Sequence, residues 1–294
     1  MVRNGNLSLC SYNLHGFNNG MSYVKKLCGE NDIIFVQEHW LLKSQLYMFD
    51  NIDENFNFFG QSSMDEVIER GMLKGRPFGG VGVLWRKELA PIVKCYDCDS
   101  DGRIVVIKID TSDVKMLIFG VYFPCDDHSK SYTCSVIRLL SYVEHVIDLN
   151  PGYKCLMLGD FNFECKSSNA GFSEFSKFMS DYNLTCCDSL SSSSCDYTYY
   201  HETLGHCSLI DHVFISTDSV SCVHDYRVVS DGANLSDHLP IMFKLNCHSD
   251  GYLPGSTHHR VTRHMPWDKG DLGAVINKLV SFLIRSSTDG CVLM

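Results

Sequence analysis

Short apolar runs, each closed by a polar residue, recur along most of the chain. Leu7 to Asn13 (LSLCSYN) has the length and pattern of a strand, followed by a turn at Leu14-His15-Gly16. Asp32 to Val36 predicts a second strand, which ends in Gln37-Glu38-His39-Trp40. Gly79 to Trp85 opens on glycines and predicts a strand with close backbone contacts. Arg103 to Ile109 and Val114 to Tyr122 predict two more, joined by a turn near Asp110-Ser112. Cys155 to Leu158 is an unbroken apolar stretch, which reads as a short buried strand stopped at Gly159. Leu209 to Ile215 reads as a strand interrupted by Asp211, and Ser236-Asp237-His238-Leu239-Pro240 leads into the strand Ile241 to Leu245.

Between these runs the apolar period changes to that of a helix. Met21, Val24, Leu27 and Cys28 predict a helix from Gly20 to Cys28, stopped by Gly29. Val136, Leu140, Val143 and Ile147 predict another over Ser131 to Leu149, and Phe172, Phe175, Phe178, Met179 and Tyr182 a third. Gly60 to Gly80 and Ser189 to Ser194 have the composition of loops. Strands and helices are mixed without the strict alternation of a doubly wound fold. Past Cys247 the pattern changes. His248 to Lys269 resembles a linker, and Asp271 to Ile284 carries a helical stripe with no apolar partner in the remaining residues. The expected organisation is one domain over residues 5–247, then a linker and partial helix over 248–294 that lead to a missing downstream region.

Composition narrows the class. The 294 residues are 45% hydrophobic and 20% charged, ordinary for a globular protein of one large domain or two small ones. No apolar run reaches the roughly 18 residues of a membrane span, and Met1 to Asn6 lacks the apolar core of a secretion signal. The 15 cysteines are scattered through apolar and polar stretches alike, and without a secretion signal they read as free thiols in a reducing, intracellular setting. A net charge of -10 argues against non-specific nucleic-acid binding through Lys and Arg, but a carboxylate cluster that recruits a divalent cation is acidic until the ion arrives.

The polar residues at the ends of apolar runs are the candidates for chemistry: Asn13, Glu38, Tyr122, Asp160, Asn162, Asp211, Asp237 and His238. Residues i and i+2 of a strand share a side, so Asp160 and Asn162 leave their strand together. Taken singly, each has an ordinary explanation as a turn former, cap or packing residue. Asp211 is the exception, because a carboxylate inside an apolar run needs a partner. Together they supply what phosphodiester hydrolysis needs: a carboxylate for Mg²⁺, amides for the phosphate, a base for water and a group to stabilise developing charge.

Ser11-Tyr12-Asn13, Gln37-Glu38, Gly159-Asp160-Phe161-Asn162, Ile210-Asp211-His212 and Ser236-Asp237-His238 resemble, in order, the motifs of the endonuclease/exonuclease/phosphatase superfamily. Gln37-Glu38-His39-Trp40-Leu41, Val121-Tyr122-Phe123-Pro124 and Tyr197-Thr198-Tyr199-Tyr200 are similar to the endonuclease domains of non-LTR retrotransposons, which resemble apurinic/apyrimidinic endonucleases. The resemblance covers about residues 5 to 247. It implies a four-layered α/β sandwich, two packed mixed β-sheets flanked by helices, as in deoxyribonuclease I. It implies a Mg²⁺-dependent enzyme, with Mn²⁺ a possible substitute, that nicks one DNA strand to leave a 3′-hydroxyl and a 5′-phosphate. It also implies a nuclear setting and a reverse transcriptase region in a longer parent.

The roles it implies are specific. Glu38 is the principal metal ligand, with Asn13 beside it and Asp237 completing the set. Asp160 positions or deprotonates water. Asn162 and Tyr122 contact the scissile phosphate, with Asn13 also on the substrate. His238 binds a phosphate oxygen and Asp211 orients it, while Thr198 helps receive the DNA. His15 departs from the family pattern, in which Asn or Asp is common, and Mg²⁺ prefers oxygen ligands. Two other readings stand beside the nuclease: a same-fold phosphatase or phosphodiesterase acting on a small phosphorylated substrate, and a catalytically inert remnant that binds DNA or a partner.

Overall fold

The computed structural model describes residues 5–247, apart from residues 66, 67, 69, 70, 72–74, 166, 193 and 194. The linker and helix expected over 248–294 lie outside the described residues. In chain order the strands are β1 (Asn6–Asn13), β2 (Ile33–Gln37), β3 (Phe56–Gln61), β4 (Val81–Arg86), β5 (Val93–Cys98), β6 (Ile104–Asp110), β7 (Lys115–Tyr122), β8 (Lys154–Asp160), β9 (Leu184–Cys186), β10 (Tyr199–His201), β11 (His206–Ser208), β12 (Asp211–Ser216), β13 (Val223–Val228) and β14 (Ile241–Asn246). The longer helices are α1 (Phe17–Glu30), α2 (Lys130–Asp148) and α3 (Ala170–Asp181).

Two six-stranded sheets form, in the orders β13-β14-β1-β2-β4-β3 and β5-β6-β7-β8-β12-β9, with β10-β11 as a separate hairpin. Each large sheet is mixed, since β1 pairs with β2 and β7 with β8 in parallel while the other pairs are antiparallel.

Strand alternation builds the layers. Leu7 and Leu9 of β1, Ile33 and Phe35 of β2, Leu156 and Leu158 of β8, Val213 and Ile215 of β12 and Ile241 and Phe243 of β14 all enter one buried cluster between the sheets. The opposite parity faces the helices. Cys10, Tyr12, Ile34 and Val36 pack on Tyr23, Val24 and Leu27 of α1. Leu117, Phe119 and Met157 pack with Val136, Leu140 and Val143 of α2 and Phe175 and Phe178 of α3. The result is the expected four-layered sandwich, helix on sheet on sheet on helices. Ser129 caps α2 by accepting from the Tyr132 amide, and Asn169 caps α3 by accepting from the Gly171 and Phe172 amides.

Every interior strand is one that the apolar pattern predicts. The strands it does not reveal are β3, β5, β9 and β13, which are the four sheet edges, and the β10-β11 hairpin. An edge strand has fewer neighbours to bury it, so its sequence (VKCYDC in β5, VHDYRV in β13) carries charge among its apolar residues. Boundaries also move. α1 starts at Phe17 and continues through Gly29 to Glu30, and β12 starts at Asp211 instead of being interrupted by it.

Parity also aims the polar ends. Asn13 continues the inward set of Leu7 and Leu9, Asp160 that of Leu156 and Leu158, and Asp211 that of Val213 and Ile215, so all three reach into one end of the sandwich. Gly159 lets β8 make this approach. Its φ is +144°, and a Cβ there would lie 2.0 Å from the Val121 carbonyl oxygen, which is backbone and has nowhere to go. Gly159→Ala is therefore expected to destabilise the fold by about 3 kcal/mol, read as a shift in the denaturant midpoint.

Candidate active site

Asn13 joins the two sheets. Its Nδ2 donates to Glu38 Oε1 at 3.0 Å and to Asp160 Oδ2 at 2.9 Å, while its Oδ1 accepts from the His15 amide at 3.0 Å. The Asn13 carbonyl oxygen accepts from the Ser236 hydroxyl at 2.7 Å, which ties β1 to the segment that carries His238. Glu38 follows the end of β2 with φ +51°, a left-handed turn that leads the chain out of the sheet. Its second oxygen accepts from the Trp40 indole at 3.0 Å.

Asp160 is 1% exposed and ends β8. Its Oδ1 accepts from the Asn162 amide at 2.9 Å, and Asn162 Nδ2 donates to Phe123 O at 2.9 Å and to Asp160 Oδ2 at 3.3 Å. Asn162 (φ +53°) is thus both a turn former and a neighbour of the carboxylate. Across the β8-β12 register, Asp211 sits opposite Asp160. Asp211 Oδ2 lies 2.8 Å from His238 Nδ1, and His238 Nε2 is 3.9 Å from Asp160 Oδ2. The buried carboxylate expected to need a partner has one.

These contacts set the protonation states. Burial works against the charged form of His238, but the Asp211 carboxylate, then Asp160 and Asp237, outweigh it and push His238 up to about 10. Burial, and next the Asp211 carboxylate, push Asp160 up from the usual carboxylate range. Burial, then the Glu38 and Asp160 carboxylates, push the Tyr122 phenol up, so it stays a neutral donor. Tyr122 ends β7 beside Asp160 in register, with the Arg103 guanidinium 5.0 Å from its ring centre.

Asp160, Asp211 and His238 form a buried floor, and Glu38, Tyr122 and Asn162 are the half-buried groups around it. Glu38, Asp160 and His238 each bring a ligand atom within 4.8 Å of the others. Two carboxylates that crowd one spot, with hard oxygen donors, suit a divalent cation. Asn13 turns its amide nitrogen toward these carboxylates and holds them together. Asp237 stands apart, paired through Oδ1 with His15 Nδ1 at 2.7 Å. That bond raises His15 and helps hold the Asp237 carboxyl below its usual range against burial.

Thr198 departs from its expected place. It is fully buried, and its hydroxyl accepts from the Ile210 and Asp211 amides at 3.1 and 3.0 Å. Its carbonyl oxygen accepts from the Leu239 amide at 2.6 Å. A side chain enclosed in this way positions Asp211 and the His238 segment. Trp40, Arg103, Ser236 and Tyr199 (ring centre 5.0 Å from that of His238) are the neighbours that sequence reasoning did not single out. Trp40, Ser236 and Tyr199 had a signal, their adjacency to Glu38, to Asp237-His238 and to Thr198, and Arg103 had none. Trp40→Phe keeps the ring but removes the donor to Glu38. It is expected to raise the divalent-ion concentration for half-maximal activity about 10-fold, measured by metal titration.

No curated protein sequence matches the chain significantly. Among solved structures, the endonuclease domain of TRAS1, a telomere-specific non-LTR retrotransposon, is 15% identical with a TM-score of 0.58, covering 82% of this chain and 99% of that one. The AP endonuclease LMAP from Leishmania major is 12% identical at TM-score 0.62, over 83% and 88% of the two chains. An AP endonuclease from Archaeoglobus fulgidus is 14% identical at 0.60, over 81% and 98%. At these identities the likeness is one of fold. A profile of the endonuclease/exonuclease/phosphatase family matches residues 10–238, a span that carries every residue from Asn13 to His238 described above, and this chain belongs to that family.

Proposed function

We propose that the protein is a Mg²⁺-dependent DNA endonuclease that nicks one strand to leave a 3′-hydroxyl and a 5′-phosphate, with Mn²⁺ able to replace Mg²⁺. The observation that carries this reading is the meeting of Asn13, Glu38, Asp160 and the Asp211–His238 pair at one end of the sandwich. The TRAS1 domain and the two AP endonucleases that share the fold support DNA as the substrate. Retrotransposition is the matching setting. There the new 3′-hydroxyl primes reverse transcription, the site of action is the nucleus, and a longer parent supplies the polymerase.

Glu38 and Asp160 would hold the cation, which neutralises phosphate charge and lowers the cost of charge developing on the oxygens. Asp160 accepts the proton of the attacking water; its raised affinity for protons suits that step. His238, kept protonated by Asp211, donates to a phosphate oxygen and stabilises the added charge. Tyr122 and Asn162 donate from the half-buried rim.

The discriminating experiment offers the full chain a supercoiled plasmid, inositol phosphates and nucleotides under the same Mg²⁺ conditions. Expected are nicked circles whose 3′ ends a polymerase extends without prior treatment. Release of phosphate from the small molecules with the plasmid left intact would overturn the endonuclease reading in favour of a phosphatase.

A further inference from the structure

Behind the catalytic face lies a second cluster of ligating side chains. β12 sends Asp211 inward and, by strand alternation, His212 to the opposite face. There Cys165, Cys186, Asp188 and His212 converge, with one ligand atom of each within 4.8 Å of the others. Cys165 comes from the loop after β8, Cys186 ends β9, Asp188 opens the short turn after it, and His212 is fully buried in β12. Three chain segments distant in sequence thus bring four metal-ligating groups to one point.

The surrounding hydrogen bonds narrow its chemistry. His212 Nε2 donates to the Phe163 carbonyl oxygen at 2.9 Å, which leaves Nδ1 facing Asp188 Oδ2 at 2.7 Å. A ring nitrogen and a carboxylate oxygen at that distance share a proton, the one that a bound metal ion would displace. The other Asp188 oxygen accepts from the Tyr226 hydroxyl at 2.9 Å. Both His212 and Asp188 are therefore held by outer partners, as ligands at metal sites are. Cys165 Sγ is 3.9 Å from both ring nitrogens of His212. A nucleophilic Cys-His-Asp triad would need Nε2 free to face the thiol, and Phe163 occupies it. The two thiols join that pair, because Cys165 and Cys186 hydrogen-bond each other and Cys186 also reaches Asp188. A surface cavity of about 340 Å³, lined in part by Glu164, Cys165 and Tyr197, provides a way in.

We propose that Cys165, Cys186, Asp188 and His212 form a structural zinc site. Two thiolates, an imidazole and a carboxylate make a closed four-coordinate set with a strong preference for zinc over Mg²⁺. The ion ties the loop carrying Asn162 to the strand carrying Asp211 from behind, so it braces the active site without touching it. The proposal is independent of the substrate, and its test reads ligation, not nicking.

The full chain is loaded with one equivalent of zinc, and separately of cobalt. X-ray absorption on the zinc form is expected to give two sulfur and two nitrogen or oxygen neighbours, the sulfurs at about 2.3 Å. The cobalt form is expected to show a thiolate charge-transfer band that Cys165→Ser and Cys186→Ser each abolish. Cys134→Ser, on the exposed face of α2, should leave it unchanged. The absorption measurement needs no variant, so it decides the matter even if a substituted chain fails to fold. A shell of nitrogen and oxygen alone overturns the proposal, as does a thiolate band that survives both cysteine substitutions.

Discussion

Asp160→Asn is expected to reduce phosphodiester hydrolysis by about 10³-fold or more while leaving the fold as stable as before, or more so. The loss follows from removing both a proposed cation ligand and the proposed proton acceptor. The gain in stability follows from charge. Asp160 is fully buried opposite Asp211 and close to Glu38, and its carboxyl is pushed up from the usual range by burial and then by Asp211. A carboxyl with a raised folded-state pKa loses stability as pH climbs past its unfolded value, because ionisation costs more in the fold than in the unfolded chain. At neutral pH the amide removes that cost. Its oxygen can still accept from the Asn162 amide, although its nitrogen meets Asn13 Nδ2 less well. Thermal melting and hydrolysis rates on the same preparation check both halves. Activity within tenfold of the parent would show that Asp160 is not the proton acceptor.

Asp211→Asn is expected to move the pH dependence of the reaction. In the parent protein His238 is pushed up to about 10 although burial opposes its charge, and Asp211 is the largest of the groups that outweigh burial. A histidine with a raised folded-state pKa adds stability that is complete below its ordinary value near 6.5 and is lost as pH rises through about 10. The amide keeps the hydrogen bond to Nδ1 but not the charge. Burial then acts with less opposition, and His238 titrates lower. Hydrolysis at neutral pH should fall about 10²-fold and recover partly in acid, as far as Asp160 permits. A pH–rate profile and the His238 imidazole resonances report the shift. An unmoved imidazole titration would contradict the role given to Asp211.

The sheet interiors were legible because a strand with neighbours on both sides and a buried face has few options but apolar residues. The edge strands were not, since they satisfy part of their backbone and side-chain surface in water. The same rule explains the site. Asn13, Asp160, Asp211 and His238 stood out as polar groups at the ends of, or within, apolar runs, and the structure brings them together. For Thr198 the motif gives the residue's neighbourhood without its direction. Its hydroxyl closes on the Ile210 and Asp211 amides instead of facing outward. Arg103 over Tyr122, and the Cys165 to His212 cluster, depend on register between distant strands, which no local pattern carries.

The most direct measurement is conversion of supercoiled plasmid to open circles by the full 294-residue chain with Mg²⁺, beside a chelator control and His238→Ala. Expected are open circles before linear product, abolished by chelation and reduced about 10³-fold in the variant. Plasmid left supercoiled by the folded protein with either Mg²⁺ or Mn²⁺, or nicking that persists undiminished in His238→Ala, would contradict the assignment of this site as a DNA-nicking centre.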